Sequence, residues 1–207
     1  YTYWDLEAAR HMMRVASGLD SQVLGEPQIT GQVKDAYDSS RRAETLGPEL
    51  NLLARHAFHA AKQVRSRTHI GRNPVSVASA AVTTAHQIFS DLATTSALLV
   101  GAGETIELVA RHLRRAGVRR IAIANRSLKN ANSLAAKVAD HSMRLSEIGD
   151  VLHEYDVVIS STGSPEPVIA KKTVQQARRH RRYRPLFMVD IAVPRDIDPE
   201  VATLKDV

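Results

Sequence analysis

From Ser96 onward the chain repeatedly changes its hydrophobic period, and this constrains the fold more than any other sequence feature. The run "ALLVGAGE" is short and apolar and enters a glycine turn; Ile106, Val109, Ala110 and Leu113 then recur at helical spacing until Gly117. A second apolar run, "RIAIAN", precedes a helical stripe through Ala131, Leu134, Ala135 and Val138. "YDVVISST" and "PLFMVDIA" read as a third and a fourth strand, with a helix between them around 170–180. Apolar strands that alternate with helices specify a parallel sheet covered on both faces, so the expected class is α/β and doubly wound.

The first 93 residues read differently. Leu6, Ala9, Met13 and Ala16 form one helical stripe, which Ser17-Gly18 ends. Pro27 suits the first turn of a second helix, where its missing N–H is no loss, and Ile29, Val33, Ala36 and Tyr37 follow at helical spacing. A third helix starts near Pro48 and carries Leu52, Leu53, Phe58 and Val64. A fourth starts near Val75, just after the breaker "GRNP" at 71–74. The expected organisation is a helical remnant of an α+β domain over 1–74, a connecting helix over 75–93, and a nucleotide-binding domain over 94–207.

Composition narrows the chemistry. The chain has 207 residues and no cysteine, so disulfides, thiolate metal sites and cysteine nucleophiles are excluded within it. No apolar run approaches the roughly 18 residues of a membrane span, and no signal-peptide pattern opens the chain. A cytoplasmic protein without membrane association is the expectation. His56 and His59 lie three apart with no supporting acid or thiol, and they read as a helix surface rather than a metal site. Lysine and arginine outnumber acids 28 to 22, and much of the excess sits in "RRHRRYR", 178–184. That run reads either as a solvated helix end, whose cations suit the helix dipole, or as a phosphate-binding cluster; the solvated end is preferred.

"LLVGAGETIELVARHL" sets Gly101-Ala102-Gly103 at a strand-to-helix junction. The first glycine permits a tight turn, the second admits a pyrophosphate, and N–H groups of the helix start, at Glu104, Thr105 and Ile106, face the anion. Ile106 stands where a third glycine is usual, so the Rossmann-type motif is incomplete and rests on its strand–helix–strand context. The next strand ends in Asn125, Arg126 and Ser127 and offers no acid to a ribose hydroxyl. An arginine beside a hydroxyl suits a 2′-phosphate, so NADPH is favoured over NADH. Ser161 and Thr162, after the third strong strand, are small enough to let a nicotinamide ribose lie close.

"SGLDSQVLGEPQITGQ", 17–32, holds more hydrogen-bonding side chains than a plain turn needs. Taken with "HMMRVASGLDSQVLGEPQITGQVKDA", "VSVASAAV", "LLVGAGETIELVARHL", "IANRS", "VVISSTGS" and "MVDIAVPRDIDPEV", it resembles the glutamyl-tRNA reductase family over essentially all of the chain. The resemblance implies reduction of the glutamyl group of glutamyl-tRNA to glutamate-1-semialdehyde with NADPH, through a cysteine thioester, as the first committed step toward tetrapyrroles such as heme. It implies that Ser21, Glu26, Pro27, Gln28 and Gln32 line a glutamate-recognition pocket and that His11 serves activity. It also implies a homodimeric full-length protein and glutamate-1-semialdehyde aminomutase as the downstream enzyme. The nucleophilic cysteine is expected before Tyr1 and a helical dimerisation domain after Val207. The rival readings are a shikimate-dehydrogenase-like oxidoreductase, which leaves 11–37 unexplained, and a non-catalytic nucleotide- or RNA-binding module.

Overall fold

The computed structural model describes residues 2–21, 24–71 and 77–207. Its contacts divide the chain into two compact units, Tyr1–Ser76 and Val77–Val207.

The first unit is helical: α1 (Asp5–Ala16), α2 (Pro27–Arg42) and α3 (Pro48–Arg67). Prolines stand in the first turns of α2 and α3, where no intrahelical N–H is forfeited. Its buried centre is small. Ala16, Ala57 and Ala61 pack with Met12, Met13 and Val33, and alanine at these positions lets α1 and α3 approach closely. The apolar stripes expected on these helices are only partly buried, because Leu6 is 72% exposed and Leu52 49%. The breaker at 72–74 and the helix start near Val75 lie outside the described residues.

The second unit opens with α4 (Val77–Ile88), which packs on the first helix of the nucleotide fold and belongs to that unit. The order then runs β1 (Ser96–Val100), α5 (Glu104–Arg115), β2 (Arg120–Asn125), α6 (Leu128–Val138), β3 (His141–Arg144), α7 (Ile148–Val151), β4 (Val157–Ser160), α8 (Lys171–His180) and β5 (Phe187–Asp190). All five strands are parallel, in the order β3-β2-β1-β4-β5. This is the doubly wound α/β sheet expected from the changing period. The sequence reading held four strands, and β3 was missed because it is a short edge strand of mostly polar residues.

Alternation along β1 divides the core. Ala97 and Leu99 point to the layer that holds Val82, Val109 and Leu134, whereas Leu98 and Val100 point to the layer that holds Leu152, Val174 and Leu186. Burying a side chain such as Leu99 contributes about 1.5–3 kcal/mol, so the two layers stabilise the central strands most. The strand order reverses between β1 and β4, which makes the carboxyl-terminal ends of these strands the place where a crevice opens.

Candidate functional site

The β1–α5 turn fills that place. Gly101 has φ +119°, and a Cβ built there would lie 2.3 Å from the carbonyl oxygen of Ser161. Only glycine fits, because β4 continues into a loop that presses on the turn: Ser161 N–H donates to Val100 O at 2.8 Å. Gly103 differs. It has φ −88° as the residue that starts α5, and a Cβ there would meet nothing within 4 Å. The space beside it is open, and the first N–H groups of α5 face it without a capping side chain.

A crevice of about 360 Å³ lies along this edge, walled by Gly101–Gly103, Asn125, Arg126, Asn130, Leu145 and the loop 161–164. Seven of the expected cofactor contacts meet there: Gly101, Ala102, Gly103, Asn125, Arg126, Ser161 and Thr162. Arg126 is exposed and has no carboxylate partner among the described residues. The Asn125 amide donates to Ser127 O at 3.2 Å, which fixes the chain's exit from β2.

The remaining expected contacts do not line the crevice with their side chains. Ile106 is fully buried in the layer that packs α5 on the sheet, which leaves its backbone N–H as the group that faces the crevice end of the helix. Glu104 is exposed and Thr105 half-buried, and neither walls the crevice. Ser127 caps α6, its hydroxyl accepting from Asn130 N–H at 3.3 Å, so it shapes the turn rather than lining the crevice. Thr162 faces away through its hydroxyl. Asp196, completely buried, accepts from both Thr162 N–H, at 2.7 Å, and the Thr162 hydroxyl. Burial pushes the Asp196 carboxyl above the usual carboxylate range, Thr162 pulls it back, and nearby Asp190 adds to the rise. Asp190 in turn accepts from Ala192 N–H at 3.0 Å and Ile197 N–H at 2.8 Å. These two aspartates pin the crevice wall to the segment after β5. The run "VDIAVPRDID" contains them, but their role was not legible without the fold. Asn130 and Leu145 were likewise missed as crevice walls, because they lie on a helix and just after a minor strand.

In the first unit the loop between α1 and α2 is strapped from three sides. Gly18, at φ +71°, and Gly25, at φ +80°, make the reversals, and Gly25 N–H donates to Gly18 O at 2.8 Å. The Thr30 hydroxyl donates to Ala16 O at 3.0 Å, and Arg65 donates to Thr30 Oγ1 at 3.0 Å and Gly25 O at 3.3 Å. Ser21 Oγ donates to Gly18 O at 3.1 Å. Glu26 stands at the start of α2, half-buried, and its burial raises the carboxyl above the usual range. Gln28 is half-buried and Gln32 exposed, while the side chain of Pro27 lies outside the described residues. His11 stacks on Tyr3 with centroids 4.2 Å apart, and its Nδ1 lies 3.3 Å from Asp20, which Arg14 also grips at 2.6 Å. Two cavities of this unit, one near Lys34 and Lys62 and one near Leu6 and Met13, have none of the expected glutamate-site residues in their walls. Thr30 and Arg65, which hold the loop, carried no sequence signal.

Comparison with known proteins agrees with this division. Residues 1–68 match the family model of the glutamyl-tRNA reductase N-terminal domain, and residues 83–207 match that of shikimate/quinate 5-dehydrogenase. A glutamyl-tRNA reductase of Hahella chejuensis is 58% identical over 99% of this chain and 48% of its own length. One of Pseudomonas putida is 58% identical over 100% of this chain and 49% of its own length. The chain thus spans about half the length of the curated relatives it matches. The solved glutamyl-tRNA reductase of Methanopyrus kandleri is 42% identical, with a TM-score of 0.61 over 97% of this chain and 51% of that one. With a dehydrogenase-type nucleotide fold behind a reductase-type helical unit, and near-complete coverage of the chain by such relatives, this chain belongs to the glutamyl-tRNA reductase family.

Proposed function

We propose that this chain binds NADPH in the crevice beyond β1 and takes part in reducing the glutamyl group of glutamyl-tRNA to glutamate-1-semialdehyde. The supporting observation is the pairing of an open, glycine-lined helix start at Gly103 with an exposed Arg126, without a carboxylate partner among the described residues, where an NAD-selective site would carry an acid. The residues fit the cofactor: the start of α5 would receive the pyrophosphate, Arg126 would pair with the 2′-phosphate, and the loop at 161–164 would back the nicotinamide ribose. Bound NADPH supplies the hydride. Asp196 holds that loop still through Thr162.

On this reading residues 1–74 recognise the substrate, 75–93 connect, and 94–207 hold the cofactor. Glu26 is suited to the α-ammonium group of the glutamyl moiety, Ser21, Gln28 and Gln32 to its polar groups, and Pro27 to shaping the start of α2. His11 orients the acyl group or assists proton movement. A thiol that displaces tRNA and carries the acyl group as a thioester is not among these residues, which contain no cysteine. Cytoplasmic location, homodimerisation of the full protein and hand-over to an aminomutase complete the reading. Among the described residues no helix is long and apolar enough to cross a membrane.

Calorimetric titration with NADPH and with NADH tests the cofactor assignment. Arg126→Ala should weaken NADPH binding at least tenfold while leaving NADH within about twofold. Equal losses reject the role of Arg126. A second reading, shikimate-type dehydrogenation, is favoured by the family match over 83–207. Turnover of shikimate with NADP would support it.

A further inference from the structure

We propose that the amino-terminal edge of the parallel sheet, opposite the crevice, is a docking surface for the sugar–phosphate backbone of RNA. Helices α5, α6 and α8 run antiparallel to the strands, so their carboxyl-terminal ends gather at this edge. The fold thereby joins two arginine-rich segments that are far apart in sequence, 111–120 and 178–184. A chain of contacts links them. Arg120 bonds Glu154 and lies 5.1 Å from the centroid of the Tyr155 ring. Arg181 donates to His153 O at 3.2 Å and to Asp156 at 2.8 Å, and the His153 and His180 rings are 5.3 Å apart.

Charge on this rim is unbalanced. Four of its acids are already engaged, Asp140 by Arg114, Glu154 by Arg120, Asp156 by Arg181 and Asp206 by Arg178, while Asp91 accepts from Ala93 N–H at 2.8 Å. Arg119, Arg179, Arg182 and Arg184 are exposed and have no carboxylate partner among the described residues. A helix dipole accounts for Arg179, in the last turn of α8, but not for Arg119 before β2 or for Arg182 and Arg184 beyond the helix.

An aromatic side chain sits among these cations. Tyr183 is 58% exposed, and the Arg178 guanidinium lies 5.3 Å from its ring centroid. Arg182 and Tyr183 have φ +52° and +61°, a left-handed conformation that non-glycine residues rarely adopt. The buried Arg181 holds this turn by donating to Arg184 O at 3.3 Å and Pro185 O at 2.6 Å. Forked guanidinium groups suit phosphate oxygens, and an exposed ring beside them suits an unpaired base. The choice of RNA over other polyanions rests on the reading that the acyl donor is a tRNA.

The test measures binding of the 207-residue chain to deacylated glutamate tRNA by fluorescence anisotropy across a salt series. The rim variant carries Arg119→Gln, Arg179→Gln, Arg182→Gln and Arg184→Gln. The control carries Lys172→Gln and Arg195→Gln, exposed cations at the opposite end of the same unit that do not wall the crevice. Each lost phosphate contact lowers the log–log salt slope by about 0.7–0.9, so the rim variant should lose about 3 in slope and at least about tenfold in affinity. Its NADPH affinity, measured in parallel, should be unchanged, which separates this proposal from the cofactor assignment. Unchanged slope and affinity in the rim variant overturn the proposal, as does an equal loss in the control. Tighter binding to phosphatidylglycerol vesicles than to tRNA, abolished by the rim variant, would make the surface a membrane contact and overturn it too.

Discussion

Gly101 and Gly103 stand two residues apart in one motif, yet the structure separates their roles, and alanine substitutions should separate them in solution. At Gly101 a methyl group meets the Ser161 carbonyl oxygen at 2.3 Å, the carbonyl carbon at 3.1 Å and Ile106 Cγ1 at 3.3 Å. The first contact is with backbone, and relief requires β1 and β4 to part at their carboxyl-terminal ends. The backbone strain at φ +119° is worth about 1–3 kcal/mol and the overlap about 1–3 kcal/mol more. Gly101→Ala should therefore destabilise the fold by about 2–6 kcal/mol, a large fraction of the roughly 5–15 kcal/mol of a typical domain. At Gly103 the methyl meets nothing and φ is −88°. The poorer helix start and the stiffer unfolded chain nearly offset, leaving a stability change of about 1 kcal/mol or less. The same methyl occupies the space a pyrophosphate would enter, so Gly103→Ala should weaken NADPH binding by about tenfold to a hundredfold. Urea unfolding and calorimetry on the two variants read both quantities. A Gly101→Ala protein as stable as the parent, or a Gly103→Ala protein that binds NADPH undiminished, would refute the reasoning.

Arg181→Met should cost about 3–5 kcal/mol, because Arg181 is almost wholly buried and its loss strands Asp156. Burial works to raise the Asp156 carboxyl, but Arg181 and Ser96 hold it below the usual range. The pair therefore stabilises the fold at neutral pH, and that contribution disappears as pH falls below about 4. Acid unfolding of Arg181→Met should lack this component; an unchanged acid limb would contradict it. Glu26→Gln should raise stability at neutral pH, because a carboxyl raised by burial disfavours the fold once pH rises through its folded-state value. The same substitution should lower affinity for a glutamyl ligand. A gain in stability without a loss of binding would remove Glu26 from the recognition site.

The sheet was legible because apolar runs such as "ALLV" and "VVI" leave few alternatives, and the crevice because glycine and arginine at strand ends have few uses. β3 was not, since an edge strand with polar residues carries no period of its own. Arg181 shows another limit. In sequence it is one cation among several in a basic run, and only the carbonyls of His153, Tyr155, Arg184 and Pro185, from two separate segments, turn it into a buried hub. Ile106 shows the reverse: a motif position inherited from the glycine pattern belongs to the core here. Thr162 and Asp196 are thirty-four residues apart in the chain, and their bond follows from where β4 and β5 end.

The central claim is that the crevice beyond β1 holds NADPH. A crystal of this chain grown with NADPH tests it most directly. The account predicts the pyrophosphate against Gly103 and the first N–H groups of α5, with the 2′-phosphate paired to Arg126. Cofactor bound elsewhere, or a 2′-phosphate that points away from Arg126 into solvent, would contradict it.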